Sequence, residues 1–484
     1  MKIFVAWLVT VNLLASCVPP VEPLAVPVAL PSTYLSGTTD PQSIGDTGWQ
    51  QLFLDPQLRS LIGQALVANA AVNIAVARVA EAQAQLGQTV ALQRPNITAG
   101  LSTSYQRVVG KQPGGVSSTE TIAPTLLGAT ATAYDVDLFG TLRYATAAQR
   151  ARVLASDAGR LALITTIVNG VANAYFFVQE LYRERDITAL AIANRKDNLR
   201  IVALQVKGGT ATLLAQRQAE TALFTATAQM PDIDRQIGEQ EALIATLLGR
   251  YPAPIPRGLP LERQLADIDL PPAGLPGQLL LRRPDIRAAE LTLEADNLQV
   301  ASARAAIFPQ LTLGGVSAGL GATILNGVAY GPQGLIALIP ALTQTLGDGG
   351  LKRSTVDVDK AQREQDVYAY LQTIQTAMQG VADGLTDYAR FRAEVAEQTR
   401  LTRSTADYEH LADLRYRGGV GNYLDVLDSE SRLFSAELLL AQLQLQQRLA
   451  ETNLYAALGG GWQNAPAAPV SGVAPPRAEK DDRQ

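Results

Sequence analysis

Few residues in this chain could do covalent or metal chemistry, and they stand far apart. The 484 residues hold one Cys, Cys17, and one His, His410. One chain therefore cannot build a disulfide or a Cys-rich zinc site, and a Cys–His pair would need those two distant residues. His410 reads as a polar helix residue. The sequence has no P-loop, no metal-ligand cluster and no nucleophile–base pair with an orienting group. An enzyme reading has no support, and no cofactor or metal is expected. The one thiol has chemistry of another kind. It closes the run Leu14-Ala15-Ser16-Cys17, after Lys2 and the short apolar stretch Ile3 to Leu14. That order is an export signal, too short to span a bilayer. Its end reads as a lipobox, in which the Cys becomes the acylated first residue of a mature lipoprotein. The plainer reading is an ordinary signal peptide with an incidental Cys. A unique Cys at the cleavage point favours the lipobox. Residues 1–16 are then signal peptide, and Cys17 carries an N-terminal lipid anchor. Several acyl chains would hold it stably, at about 0.8 kcal/mol per buried CH₂. Inner-membrane lipoproteins usually carry Asp after the Cys, so Val18 points to the bacterial outer membrane.

Composition bounds the partners. The chain is 47% hydrophobic and only 18% charged, with a net charge of -5. That suits a globular or membrane-associated chain and argues against nucleic acid.

The elements that dominate the chain are helical hairpins. Val356 to Arg415 is a proline-free helical pattern. It meets Tyr416-Arg417-Gly418-Gly419-Val420-Gly421-Asn422-Tyr423, where Gly418, Gly419 and Gly421 can take positive φ and reverse the chain. Beyond the turn, Leu424, Leu427, Ser431, Phe434, Leu438, Ala441 and Leu445 recur at alternating spacings of three and four, a heptad seam. The same hairpin occurs earlier. Val206-Lys207-Gly208-Gly209 matches Tyr416-Arg417-Gly418-Gly419, Gly170-Val171-Ala172 matches Gly380-Val381-Ala382, and Leu248-Gly249 matches Leu458-Gly459. One offset of about 210 residues serves all three, so the chain is an internal duplication.

Each repeat has one plan. Val18 to Gly48 is a proline-rich arm. A helix begins at Asp55-Pro56 and runs to about Gln93, stopping at Arg94-Pro95. Ile97, Ala99, Leu101, Thr103 and Tyr105 then alternate with polar or small residues over a membrane-crossing length. A loop over Val109 to Ser118 precedes a return strand, Glu120 to Val136, and Asp137-Leu138-Phe139-Gly140 opens a long helix to Gln205. In the second repeat a helix starts at Pro284-Asp285 and ends at Phe308-Pro309. A strand follows through Leu311, Leu313 and Val316, with a bulge expected at Gly314-Gly315. The expected loop is Gly321 to Pro332 and the return strand Gly334 to Leu346. From Gly459 on, a Gly/Ala/Pro tail is expected to be disordered.

Four membrane-length strands cannot close a barrel, and hydrocarbon does not tolerate open edges. Leu142 to Gln205 alone would reach about 95 Å as a helix. Several chains sharing one barrel, above a tube of packed helices, would satisfy both constraints.

Here the sequence resembles the TolC-type outer membrane factors, in the lipoprotein branch that serves resistance-nodulation-division (RND) efflux. The residues carrying this are Leu281-Arg282-Arg283-Pro284-Asp285-Ile286-Arg287-Ala288-Ala289-Glu290, Ala305 to Phe308-Pro309, Asp137-Leu138-Phe139-Gly140, Tyr416 to Leu424 and the lipobox. The resemblance implies an α+β membrane protein: a homotrimeric 12-stranded β-barrel, four strands per chain, on a long periplasmic α-helical coiled-coil barrel. It divides the chain into an N-terminal arm and equatorial part (17–55), a first repeat (56–250), an equatorial connector (251–277), a second repeat (278–459) and a tail (460–484). The implied partners are two further copies of the chain, a periplasmic adaptor (membrane fusion) protein, an inner-membrane RND pump and the outer membrane, where the chain is lipid-anchored and extends into the periplasm. The implied function is a passive exit duct for drugs or small toxic compounds. The alternatives are a duct for type I secretion and a non-conducting periplasmic coiled-coil spacer.

Site residues follow from the same resemblance. The tips Gly208, Gly209, Gly418, Gly419 and Gly421 would meet the adaptor. Members commonly carry an aspartate where this chain has Gly421, and Gly347 replaces a Phe before the second long helix. The acidic burden of the periplasmic aperture would then fall on Asp425 or Asp428, with Asp413 on the preceding helix and Leu424 as an apolar constriction. The plainer reading of Asp425 and Asp428 is a solvated helix face. Lys207 and Arg417 read as basic residues at helix C-termini, and Pro284-Asp285 as a helix start.

Overall fold

Long helices and long strands alternate twice along the chain. A computed structural model describes residues 20–22, 30–34, 42–103, 106–111, 117–264, 272–325 and 328–463, with side chains omitted over 97–133 and 314–339. Cys17 and most of the tail lie outside the described residues. The first half holds α1 (Trp49–Leu52), α2 (Pro56–Ala68), α3 (Ala70–Leu92), β1 (Ile97–Thr103), β2 (Gln106–Lys111), β3 (Ser117–Val136), α4 (Thr141–Lys207) and α5 (Leu213–Leu247). The second holds α6 (Pro276–Arg282), α7 (Pro284–Ala305), β4 (Gln310–Leu325), β5 (Val328–Thr343), α8 (Leu351–Arg417) and α9 (Tyr423–Ala457). Both long helices have 67 residues, about 100 Å at 1.5 Å per residue. Both returning helices have 35.

The strands form one antiparallel sheet. β1 and β2 lie end to end along β3, Ile97 opposite Ala131 and Lys111 opposite Ser117. β3 pairs with β4 from Ile122–Leu325 to Val136–Leu311, joining the two repeats, and β4 pairs with β5. Among the described residues, the outer edges of β1, β2 and β5 have no strand partner. The register shifts between Gly314 and Ser317, where the paired glycines predict a bulge, and again between Gly321 and Thr323. The two loops expected at the far end are shorter than the sequence suggests. Strand pairing continues to Lys111 and from Ser117 in the first, and to Leu325 and from Val328 in the second. Glycine and polar residues marked these stretches as loops, but ladder hydrogen bonds to a long partner strand override that local preference.

The helix expected from Asp55 to Gln93 is broken. Asn69 ends α2 and caps α3, accepting from the backbone of Ala71 and Val72, and its Nδ2 donates to Leu247 O at 2.8 Å. The two helices meet at 42°. Asn favours a cap over a helix interior because its side chain competes for backbone N–H groups.

The side-by-side order of helices changes along the length of α4. The strand-proximal half of α4 packs between α3 and α7, with α8 beyond α7. Its distal half packs between α5 and α9, with α8 beyond α9. The largest apolar core sits midway, where Phe53, Leu58, Tyr175, Phe176, Ile286, Leu454 and Tyr455 are buried. Here Asp55, 1% exposed, accepts from Tyr175 Oη at 2.7 Å, Leu259 N at 2.8 Å, Gln57 N at 2.8 Å and Gln264 Nε2 at 3.0 Å. One carboxylate thus ties the arm, α4 and the connector together. A Cβ at Gly258 would come within 2.0 Å of both Asp55 and Tyr175, so only glycine fits there.

The Arg-Arg-Pro-Asp run behaves as a helix start and a fastener. Pro284 opens α7, Arg283 pairs with Asp285 at 2.6 Å and donates to Ala457 O at 2.6 Å, and Arg282 holds Asp46 of the arm at 2.6 Å. At the junction of helices and strands, Phe139 stacks on Phe308 with ring centroids 5.0 Å apart. The tail does not begin at Gly459 as expected. Gly459, Gly460 and Gly461 are buried, and Gln463 Nε2 donates to Gly45 O. The heptad seam on α9 also departs from expectation near the turn. Leu424 and Ser431 are exposed, and the buried stripe there is Tyr423, Val426 and Ser429. Two neighbouring helices, α4 and α8, claim a face of α9 that one partner helix would not.

Candidate functional site: the helical hairpin tips

The two tips have the same backbone. α4 ends as Gly208 N donates to Leu204 O, Gly209 N to Val206 O and Thr210 N to Gln205 O. α8 ends as Gly418 N donates to Leu414 O, Gly419 N to Tyr416 O and Val420 N to Arg415 O. Gly209 and Gly419 take φ of 72° and 76°. This is a Schellman-type end, in which a left-handed residue satisfies the last helical carbonyls. Gly208 and Gly418 stay in the right-handed region. Only one glycine per tip needs positive φ, so the expectation for Gly418 and Gly421 is corrected. Gly421 is needed for another reason: a Cβ there would sit 2.9 Å from Tyr416 N and 3.0 Å from Arg415 C. Thr212 caps α5 and Asn422 caps α9.

The hairpins grip each other just above the tips. Val202 of α4, Ala219 of α5, and Tyr423 and Val426 of α9 form a small buried cluster, with Tyr416 and Leu199 against it. Tyr416 Oη donates to Gln205 Oε1 at 2.5 Å, and the Tyr416 and Tyr423 rings are 5.3 Å apart. Tyr416, Gln205, Tyr423 and Val202 were not singled out by sequence reasoning. Tyr416 stands at the head of the repeat match, but nothing in its spacing marks a cross-hairpin bond.

The predicted aperture residues are not gathered into one cluster. Leu424 is exposed beside Asp425 in the first turn of α9. Asp428 pairs with Arg432 at 2.7 Å and accepts from Tyr408 Oη at 3.3 Å. The Arg432 hydrogen bond holds the Asp428 carboxyl below the usual range. Asp425 lies toward the same Tyr408. Asp413 is elsewhere, paired with Arg417 of its own helix at 2.8 Å and facing Glu409 and Glu430. Arg417 and Lys207 both stand in the last turn of their helices. Among the described residues, no group of three or more His, Cys, Asp or Glu is set to hold a metal ion.

The family model described as outer membrane efflux protein matches residues 61–250 and 275–460. This chain belongs to the outer membrane efflux protein family. The chain is 34% identical over 421 residues to a probable efflux pump outer membrane protein, TtgC, of Pseudomonas putida, covering 86% of each. It is 30% identical to the probable outer membrane lipoprotein SilC of Salmonella typhimurium over 94% of this chain and 97% of that one. It is 30% identical to the cation efflux system protein CusC of Escherichia coli, over 86% and 89%. Among solved structures, the open-state outer membrane channel MtrE of Neisseria gonorrhoeae superimposes with a TM-score of 0.79 at 29% identity, over 92% of this chain and 98% of that one. A Pseudomonas aeruginosa membrane protein gives 0.81 at 28%, over 92% and 100%. The efflux family member described here is thus an outer membrane component and exit duct of an efflux pump. These relatives favour that reading over a secretion duct or a spacer.

Proposed function

We propose that three copies of this chain close one twelve-stranded barrel, and that their hairpins form a tube whose periplasmic mouth is the ring of tips. The observation that carries this is the sheet: among the described residues its two outer edges lack partners, and its strands lead into helices about 100 Å long. In hydrocarbon those edges must pair, and identical neighbours supply the complement. The duct is passive, so a pump supplies the energy. An RND pump and an adaptor whose helical hairpin lies along the tips are the partners this reading requires. The cargo class is small toxic compounds such as drugs. Relatives of this chain include a toluene efflux pump outer membrane protein of Pseudomonas putida and the cation efflux system protein CusC. Cys17, acylated, anchors the arm in the outer membrane. Leu424, Asp425 and Asp428 narrow the mouth, where three like carboxylates repel one another and cations relieve the repulsion. Asp413, on the Glu409 side, contributes less. Single-channel currents with and without divalent cations test this. Asp425→Ala or Asp428→Ala should weaken cation preference and divalent block. If both variants match wild type, the mouth is closed by other residues.

A further inference from the structure

Above the tips, α4, α8 and α9 border a half-open cleft of about 80 Å³, lined by Arg195, Glu409, Glu430, Leu433, Phe434 and Glu437 among others. Its charges do not balance. Three carboxylates from the second hairpin, Glu409 of α8 with Glu430 and Glu437 of α9, face one buried cation of the first hairpin, Arg195. Arg195 is already engaged: its Nη1 donates to Ala222 O of α5 at 2.9 Å and its guanidinium lies 5.1 Å from the Phe434 ring centroid. Asn198 Nδ2 donates to Glu430 Oε1 across the same seam. The other charged or titratable groups that bear on the cluster are Arg183 on α4, His410, Asp413 and Arg417 on α8, and Tyr423 on α9.

We propose that Glu430, with Glu409 and Glu437, forms a proton-operated latch between the two hairpins: protonated it holds them together, and ionised it loosens them. This rests on the reading of the tips as the duct's mouth.

Burial, the largest cause in each case, pushes all three carboxyls up; the Glu409 charge adds to it at Glu430 and Glu437, and the Asp413 charge at Glu409. Glu430 stands at about 7, with Glu409 and Asp413 raising it and Arg195 opposing. The packed seam therefore binds more protons than separated, hydrated hairpins, whose carboxyls titrate near the ordinary value of 4.5. The latch is fully set below that value, weakens as pH rises toward 7, and changes no further above it. Asn198 can serve both forms, because its amide offers a donor to the carboxylate and an acceptor to the carboxyl proton.

The test is the open probability of the purified full-length protein in planar bilayers between pH 5.5 and 8. After a discount for the partial exposure of Glu430, we expect about a tenfold rise across that range. Glu430→Gln should give a much shallower profile that stays near the acidic, closed level, with only the contribution of Glu409 and Glu437 left. Glu409→Gln, which removes a neighbouring charge, should move the midpoint to lower pH and keeps the test open if the first variant misfolds. A wild-type profile flat over this range overturns the latch, as does a Glu430→Gln channel with the full pH response. Absence of current at every pH in a correctly assembled protein would instead overturn the duct reading beneath it.

Discussion

Tyr416→Phe should loosen the grip between the hairpins without disturbing either hairpin. The hydroxyl donates to Gln205 Oε1 at 2.5 Å, while the half-buried ring packs against Tyr423 at 5.3 Å. Phenylalanine keeps the ring and its packing, so only the hydrogen bond is lost. Burial pushes the Tyr416 hydroxyl up, so the donor stays protonated at neutral pH. A neutral hydrogen bond contributes roughly 1 kcal/mol net, and water can replace the lost partner at Gln205 because the site is half open. One kcal/mol is about a fivefold change in an equilibrium constant. If three protomers open together, the terms add to about 3 kcal/mol, more than a hundredfold. Single-channel recording reads this directly: the open fraction should rise at least about fivefold in Tyr416→Phe. Gln205→Ala should give a similar rise, and the double variant little more than either, since both remove one bond. Unchanged gating in both single variants, or additive effects in the double, would refute the assignment of this contact as a closing link.

Other outcomes follow from the same geometry. Asp55→Ala strands the Tyr175 hydroxyl, the Leu259 N–H and one N–H of the Gln264 amide in the apolar core, so thermal unfolding should show a loss of about 3–5 kcal/mol. Gly419→Ala meets no atom within 4 Å, so its cost is the positive φ alone, about 1 kcal/mol by the same measurement, and Gly209→Ala should match it. Cys17→Ser should abolish N-terminal acylation, which mass spectrometry of the mature N-terminal peptide would reveal; normal acylation in that variant excludes the anchor.

Much of this fold could be read from residue order because its elements are long and repeated. A 67-residue helix without internal proline leaves little choice of secondary structure, and the glycine turns mark its end in both halves. The bulge at Gly314 was legible because two adjacent glycines cannot hold a pleated register by packing. What stayed hidden depends on which helix lies beside which. The break at Asn69 is fixed by its bond to Leu247 O, 178 positions away in the chain. The hub at Asp55 joins residues from three separate stretches, and the Glu430 cluster draws its charges from α4, α8 and α9. The α9 stripe follows two neighbours, while a heptad reading assumes one. The site residues named from the resemblance lie near the tips, but their spacing could not show that Asp413 pairs with Arg417 beside Glu430 while Asp425 and Asp428 bear on Tyr408.

The central claim is that this chain completes its barrel only with copies of itself. Native mass spectrometry of the detergent-extracted protein, paired with circular dichroism of the same sample, tests it most directly. The expected result is a species of three chains whose strand content falls when the trimer is dissociated. A stable monomer that keeps its full strand content in detergent would contradict it.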